Sequence, residues 1–506
     1  MTVPWLTILG LLPLLGAAVL CLPVQQIAKG VGMTFALLTA GVGIGVATLA
    51  GQGVPLAERA PWIPAFGASW ALDLDGMSLM MVLLTVVLTP AVLLAEWRLA
   101  DGGGSAKWGP RAYVGLVLAL EGLSLLVFMA GDVLLFYLLF EATLIPVYFL
   151  IGGYGGARRS YAAIKFLLFS LAGGLVMLFS VIGIYAESTR QFGTPTYLLS
   201  DLAALRPDQT TGMLLMVGFL IAFIIKAPMV PLHTWLPTAA EESTPGTSVL
   251  LVGVLDKIGT FGMIKFCVFL FPDASRAVGP TMIVLALVSI LYGALAAIGS
   301  KNLLRLVAYT SISHFGFMVL GIYTFTTVGT SGTIFYMLNH GFSTGALFLV
   351  LGFLITRRGS ALVDAYGGVQ KVAPVLAGTL LLAGLSSLAL PGMSSFVSEF
   401  MVMAGAWSRE PWVAAVAALG TVLAAVYILL MYQRTMTGPV TDQVSEGIRS
   451  DLNLREKVVA APLIAVMLVL GFVPQLALTQ IEPTVSAVLA HAGVSDPVAP
   501  LRKEAK

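Results

Sequence analysis

Long apolar runs separated by short polar loops repeat along the whole chain. Most runs are about 18–25 residues long, enough for an α-helix to cross the hydrocarbon core of a bilayer. The run at 373–405 is longer because Pro391-Gly392 interrupts it. The pattern predicts an all-α integral membrane protein with fourteen transmembrane spans, at residues 3–22, 30–50, 76–97, 112–130, 132–151, 162–186, 212–232, 247–270, 279–299, 303–323, 330–356, 373–405, 413–433 and 457–475. Because the loops are short, we expect no soluble domain.

Composition agrees with this class and excludes others. Hydrophobic residues make up 58% of the chain and charged residues 10%, against roughly 25% charged residues in soluble proteins. A net charge of +2 gives no basis for nucleic-acid binding. Cys21 and Cys267 lie in separate apolar runs, so neither an iron–sulfur site nor a disulfide framework is predicted. The histidines lack the spacing of metal ligands, so no metal site is predicted.

The distribution of Lys and Arg among the loops predicts an orientation. These residues are about twice as frequent in the odd-numbered loops as in the even-numbered loops and the C-terminal tail together, and positive loops are cytoplasmic. We therefore expect both termini on the external side. Four basic residues lie inside spans instead: Lys165, Lys226, Lys257 and Lys265.

Charged groups within the spans are candidate functional residues, because each costs at least about 2.5–3.5 kcal/mol at bilayer depth. Lys257 lies mid-span and is a stronger functional candidate than Lys265. Lys265 is two turns further and close enough to the span end to reach the interface. Lys165 lies near the start of its span, which indicates an interface lysine.

Buried carboxylates offer partners for these lysines. Glu141 lies too deep to reach the membrane surface, so it is either a structural ion-pair partner or a titrating group beside Lys226. Two buried groups that interact strongly titrate as a coupled unit, and a third charge can then expel a proton. Asp256 projects about 100° away from Lys257 on the helix, so it is not automatically its partner. Glu121 remains open between a proton relay and helix packing.

Two histidines within spans have polar neighbours at helical spacing. Around His340, hydroxyl side chains lie on the same helix face at i−4, i+3 and i+4, and the residue at i−4 is Tyr336. Around His314, hydroxyl side chains lie at i−4 and i−3. Neutral imidazole both donates and accepts hydrogen bonds, which suits proton transfer along ordered water. The alternative is that each histidine only bonds a neighbouring helix.

Prolines interrupt two spans, and each interruption has a charge nearby. Lys226 precedes Pro228 and Pro231 in the seventh span, and Glu399 follows Pro391 in the twelfth. Such a pair of broken helices at corresponding positions indicates a transport site. Alternatively, the prolines of the seventh span only end a helix and shape a loop.

The two interruptions are five spans apart, and five is odd, so two five-span units would be inverted relative to each other. We therefore predict three N-terminal spans in residues 1–110 and a first five-helix repeat in 111–270. A second repeat is predicted in 279–433, and a last span with an external tail in 434–506.

Several motifs in order along the chain resemble the antiporter-like membrane subunits of respiratory complex I. The matching features are Glu141, Lys-Ala-Pro-Met-Val-Pro-Leu-His-Thr-Trp-Leu-Pro from Lys226, Lys257, Ala-Tyr-Thr-Ser-Ile-Ser-His-Phe-Gly with His314, and Asn-His-Gly-Phe-Ser with His340. The resemblance covers nearly the whole chain. The L and N types of these subunits, and the related Mrp antiporter subunits, carry lysine in the broken twelfth helix, where this chain has Glu399.

The resemblance implies a role for each matching residue in one proton channel. Glu141 and Lys226 resemble the input pair and Lys257 the central relay. His314 and His340 resemble the bridging residues, and Glu399 the terminal residue towards the external exit. Asp256 departs from the family pattern, in which an apolar residue is commoner beside the lysine.

The resemblance also implies a setting for the chain. It would be one subunit of a bacterial plasma-membrane complex, with L-type and N-type neighbours and no redox chemistry of its own. NADH, FMN, iron–sulfur clusters and quinone would then belong to other subunits. Subunits of an Mrp-type cation/proton antiporter, of a proton-pumping membrane hydrogenase, or a membrane scaffold remain alternatives. Two lysines and two histidines along the path favour protons, because sodium prefers oxygen ligands.

Overall fold

A computed structural model describes residues 3–22, 26–99 and 107–497. The chain is mostly helical. In chain order its helices and strands are α1 Trp5–Val19, α2 Ala28–Gly51, β1 Ala57–Ile63, β2 Ala68–Asp73, α3 Gly76–Ala95, α4 Pro110–Met129, α5 Val133–Ala142, α6 Leu144–Tyr154, α7 Arg159–Phe192, α8 Leu199–Leu202, α9 Gln209–Lys226, α10 Trp235–Glu242, α11 Pro245–Ser248, α12 Lys257–Gly262, α13 Pro272–Ile298, α14 Leu303–Tyr323, α15 Thr327–Arg358, α16 Pro374–Ser387, α17 Ser394–Arg409, α18 Pro411–Met436, α19 Asp442–Gly447, α20 Leu454–Phe472 and α21 Gln475–His491.

Within the described ranges, ten helical segments are long and apolar enough to cross a membrane, with α5 and α6 together counted as one of them. The number is eleven when α20 and α21, which bend by 68° at their junction, are taken as one span. Helices α1 and α16 are apolar but shorter. Helical segments lie at all fourteen predicted spans, yet several are too short or interrupted to pass as complete crossings, so the count of fourteen stays a prediction.

Two segments outside the predicted spans are ordered. Residues 51–75, expected as a loop, contain the antiparallel hairpin β1–β2, which turns through Gly67 at a φ of 68°. Residues 475–491, expected in a tail, form α21. Its buried residues recur at helical spacing, as in Leu478, Ile481, Val485 and Leu489, so one face packs on the bundle. Neither segment contains a run long enough to have been predicted as a span.

Burial places two helices at the centre of the bundle. In the most apolar stretch of each helix, 89% of α14 and 94% of α15 is buried, against 22% for α2 and 39% for α7 and α18. A helix buried all round lies among other helices, whereas one with an exposed apolar face contacts lipid or another subunit. His314 on α14 and His340 on α15 therefore lie in the interior.

Both predicted helix interruptions are present, and backbone groups at the first are hydrogen-bonded. Helix α9 ends at Lys226, and the irregular chain beyond it is held by Val230 N bonding Ser289 Oγ at 3.0 Å and Trp235 Nε1 bonding the Ile225 carbonyl at 3.0 Å. Such bonds matter because an unpaired backbone group costs several kcal/mol in hydrocarbon. The second interruption separates α16 from α17, and Ala389 there has a φ of 58°.

Two local irregularities next to predicted site residues are not visible in the sequence. The fifth predicted span is divided at Thr143 into α5 and α6, immediately after Glu141. The eighth contains π-helical segments Val249–Leu255 and Met263–Val268, on either side of α12. π-helical turns within α-helices frequently occur at functional sites.

Candidate functional site

Buried charged and imidazole side chains from neighbouring helices form a series through the interior. Its members lie on α5, α9, the α12 segment, α14, α15 and α17: Glu141, Lys226, Asp256, Lys257, His340, His314 and Glu399. All except Glu141 are almost completely buried. The structure thus brings the principal predicted residues into one region.

At one end of the series, Lys226 and Glu141 are neighbours without a direct bond. Lys226 is 1% exposed, and its ammonium has no hydrogen-bond partner in the described part of the chain. It lies over the rings of Phe140 and Phe166, 5.1 and 5.6 Å from their centroids, where the ring faces attract a cation. Oε1 of Glu141 is also unpaired. The described contacts thus include no hydrogen bond between Glu141 Oε1 and Lys226, and the titrating role of Glu141 stays a prediction.

The Glu141 carboxylate occupies space that a glycine leaves open. It lies against Gly174 of α7, and a Cβ at that position would be 2.5 Å from Cδ and 3.0 Å from Oε2 of Glu141. A real Cβ does not approach another atom so closely. Gly174 therefore sets the position of the carboxylate.

Replacing Gly174 with alanine is expected to displace the Glu141 carboxylate and lower proton translocation. In the Glu141→Asp background the shorter side chain leaves room for the methyl group, so Gly174→Ala should cause a smaller further loss. Proton uptake by membrane vesicles, for both single variants and the double variant, tests this. Gly378→Ala is the control, since that helical glycine has no atom within 4 Å of the added Cβ. Equal losses from Gly174→Ala in both backgrounds would contradict the explanation.

Lys257 links the α12 segment to α15. Its Nζ donates to the Val252 carbonyl at 2.9 Å and lies 2.7 Å from Nδ1 of His340. The π-helical register leaves the Val252 carbonyl available to Lys257, because Asp256 N bonds the Leu251 carbonyl, five residues back, instead of the Val252 carbonyl. When Lys257 is an ammonium it can only donate, so Nδ1 then accepts and a neutral His340 ring carries its proton on Nε2.

The two histidines adjoin each other beyond Lys257. Their ring centroids are 5.1 Å apart, and the rings are almost perpendicular. Nε2 of His340 and Nδ1 of His314 have no bonded partner, while Nε2 of His314 lies 3.1 Å from the Tyr427 hydroxyl. Each ring thus has one nitrogen held by a neighbour and one left for a further proton donor or acceptor.

Glu399 is at the other end of the series and accepts two hydrogen bonds. The Tyr336 hydroxyl donates to its Oε2 at 2.8 Å, and the Thr421 hydroxyl donates to Oε1. The Tyr336 ring lies 5.8 Å from that of His314. Glu399 is therefore connected through Tyr336 to the histidine pair.

Two of these contacts were not predicted. Tyr427 and Thr421 both lie on α18, whose sequence is an unbroken apolar span. Their only signal in the sequence was a hydroxyl side chain inside an apolar run. This signal is weak because such side chains are common in transmembrane spans. Tyr336 was expected only as a polar neighbour of His340, and its bond to Glu399 is an additional finding.

Lys265 lies apart from the series. Its Nζ is 3.4 Å from Oδ2 of Asp75, and both residues line a cavity of about 520 Å³ with Asp73 and Arg59. Burial raises the pKa of the Asp73 carboxyl, and the Lys265 ammonium opposes that shift. Lys265 therefore has a carboxylate partner of its own.

Two further candidates are not joined to the series by a described contact. Glu121 on α4 is 1% exposed, and neither of its oxygens has a hydrogen-bond partner. Lys165 bonds the Thr238 hydroxyl at 3.1 Å. Among the described residues, no group of three or more His, Cys, Asp or Glu side chains is placed to hold a metal ion.

The chain matches a family described as NADH:quinone oxidoreductase/Mrp antiporter, TM, over residues 130–424. That range includes every member of the buried series. NADH-quinone oxidoreductase subunit M of Mycobacterium tuberculosis is 47% identical, covering 98% of this chain and 96% of that protein.

Solved structures also resemble the chain. A chain of respiratory complex I from Thermus thermophilus with bound NADH has a TM-score of 0.88 at 32% identity, covering 97% of this chain and all of that one. A chain of the Mrp complex from Dietzia sp. has a TM-score of 0.85 at 22% identity, covering 97% of this chain and 98% of that one, which shows the fold alone.

Proposed function

The chain belongs to the family of NADH:quinone oxidoreductase and Mrp antiporter membrane subunits, and we propose that it translocates protons as the M-type subunit of a bacterial NADH-quinone oxidoreductase. Its enzymatic activity is that of the complex. Other subunits bind NADH, FMN, the iron–sulfur clusters and quinone. This chain uses energy from electron transfer in those subunits to move protons. The L-type and N-type subunits are its neighbours in the membrane, and both of its termini lie on the external side.

The observation that carries this proposal is the buried series from Glu141 to Glu399. Ionisable residues inside a membrane protein are costly and mark ion pathways and proton relays. Here they come from several helices and approach one another at hydrogen-bond or ring-contact distance from Lys257 to Glu399. A purely structural scaffold would have no need of this many buried ionisable groups.

Each part of the series has a role in proton transfer. The Lys257 ammonium gives a proton to Nδ1 of His340, becoming a neutral amine, and the Nε2 proton of His340 passes to His314. From His314 the proton reaches Glu399 through Tyr336, and the carboxylic acid so formed releases it towards the external side. Glu141 and Lys226 respond to the charge state of the neighbouring subunit and control when Lys257 is protonated.

We place these residues in two inverted five-helix units. The first runs from α4 through the α12 segment and contains the interruption after Lys226. The second runs from α13 to α18 and contains the interruption before Glu399. The two units then contribute the two ends of one path, with Lys257 and His340 at their junction.

A cation antiporter of Mrp type is the second candidate, because the fold is shared. The side chains favour protons instead. Sodium binds to carboxylate, hydroxyl and carbonyl oxygens, whereas lysine and histidine nitrogens occupy the middle of this series. A membrane hydrogenase subunit would have the same fold and is separated from the main proposal only by its partner subunits.

Purification of the tagged chain from its native membrane tests the assignment. We expect NADH-oxidising peripheral subunits and the other antiporter-like subunits to co-purify, and the preparation to reduce quinone with NADH. Co-purification with hydrogenase subunits, or with antiporter subunits and no NADH oxidation, would refute it. A tagged membrane protein of another complex from the same cells is the control for non-specific capture.

A further inference from the structure

Asp256 is a completely buried carboxylate. It is 0% exposed, and neither Oδ1 nor Oδ2 has a hydrogen-bond partner among the residues that the structure describes. Removing an ion from water costs several kcal/mol unless opposite charges and hydrogen bonds compensate. A structural aspartate would be expected to hold at least one bond, as Asp132 does in capping α5. Asp256 therefore has no capping or bonding role of this kind among the described residues.

The packing of the α12 segment shows which way Asp256 faces. Gly259 lies directly against the end of α9, where a Cβ would be 2.6 Å from the backbone nitrogen of Ala227 and 2.7 Å from the carbonyl oxygen of Phe223. Asp256 is three residues before Gly259, so it shares that face of the helix. It consequently points towards the interruption that follows Lys226.

Lys257 points in a different direction from the same segment. Its ammonium bonds His340 of α15, and Gly253, four residues earlier, is near the carbonyl of Gly341 on that helix. Asp256 thus lies between the end of α9, which carries Lys226, and Lys257 of its own segment. Adjacent residues of one helix thus face the lysine of the first interruption and the histidine of α15.

We propose that Asp256 carries protons between Lys226 and Lys257, joining the input end of the series to its centre. The Lys226 ammonium gives a proton to the Asp256 carboxylate, leaving a neutral amine and a carboxylic acid. The acid then gives that proton to the neutral amine of Lys257, which becomes the ammonium that bonds His340. Among the described residues Asp256 bonds neither Lys226 nor Lys257, so each of the two transfers uses an intervening water or a side-chain rotation. This inference rests on the proposed proton translocation.

A permanently ionised counter-charge is the competing explanation. In that case Asp256 would only compensate the two lysines and would never bind a proton. Both explanations predict a loss of activity when the charge is removed, so activity alone does not separate them. A direct measurement of the protonation state of the Asp256 carboxyl separates the two explanations.

The test uses the whole complex with Asp256→Asn, Asp256→Glu and the control Asp364→Asn, which changes an exposed aspartate. We expect Asp256→Asn to lose most NADH-driven proton translocation, Asp256→Glu to retain a substantial part, and Asp364→Asn to match the wild type. Infrared difference spectra recorded during turnover, with ¹³C-labelled aspartate, should show a protonated-carboxyl band in the wild type that is missing from Asp256→Asn.

Each outcome decides the question. Full proton translocation by Asp256→Asn would overturn the inference while leaving the proposed function intact, whereas a wild-type complex that moves no protons would refute the proposed function itself. Loss of translocation with an unchanged carboxyl band would favour the fixed counter-charge and overturn the inference. If Asp256→Asn does not assemble, the labelled wild-type band and its shift in Asp256→Glu give the answer.

Discussion

Lys257→Met is expected to abolish most NADH-driven proton translocation while leaving the complex assembled. Methionine has nearly the length of lysine and fits an apolar environment, but it cannot donate to the Val252 carbonyl or to Nδ1 of His340. Leaving these buried acceptors unpaired costs about 1–3 kcal/mol, which a large membrane bundle should tolerate. Loss of the amine also removes the group that passes the proton to His340.

Dye quenching in inverted membrane vesicles measures this loss, and the subunit composition of the purified complex shows whether it assembles. Lys457→Met is the matched control, because it makes the same change at an exposed lysine on α20 and should leave translocation unchanged. If Lys257→Met vesicles acidify at the wild-type rate, Lys257 is not part of the path.

Glu399→Gln is expected to have an effect of similar size. Glutamine keeps the shape of the side chain and an oxygen that can accept the hydrogen bond from Tyr336 or Thr421. It cannot bind and release a proton, so transfer should stop at the last group of the series. Glu399→Lys should retain part of the activity, because the resemblance places a titratable lysine at this position in the L and N types.

Comparing Glu399→Gln with Glu399→Lys distinguishes a role of this position in proton transfer from a purely structural role. Translocation is measured for both variants alongside Glu482→Gln, an exposed position on α21. If Glu399→Gln is as active as the wild type, the carboxylate has only a structural role. If Glu399→Lys is less active than Glu399→Gln, a titratable group is not what the position requires.

The ionisable members of the site could be predicted because charge is conspicuous in an apolar chain. Lys226, Lys257 and Glu399 are visible as isolated charges in long hydrophobic runs, and the prolines near two of them predicted the interruptions that the structure contains. Their mutual distances could not be predicted. The helix geometry of adjacent residues did predict that Asp256 and Lys257 face different directions.

The features that were missed depend on backbone register and on polar groups of ordinary type. The π-helical segments around α12 consist of the same apolar residues as an α-helix, so no residue type signals the five-residue bonding pattern. Tyr427 and Thr421 resemble many other hydroxyl residues in spans. Gly174 gains its importance only from the carboxylate of Glu141, which comes from another helix.

The most direct test of the central claim is the number of protons translocated per NADH oxidised. It is measured in proteoliposomes containing the purified complex, for the wild type and for Lys257→Met, with the lipid composition held constant. If this chain provides a proton path, the ratio for the variant is lower than that of the wild type at any residual rate of NADH oxidation. An unchanged ratio would show that the protons cross the membrane elsewhere in the complex.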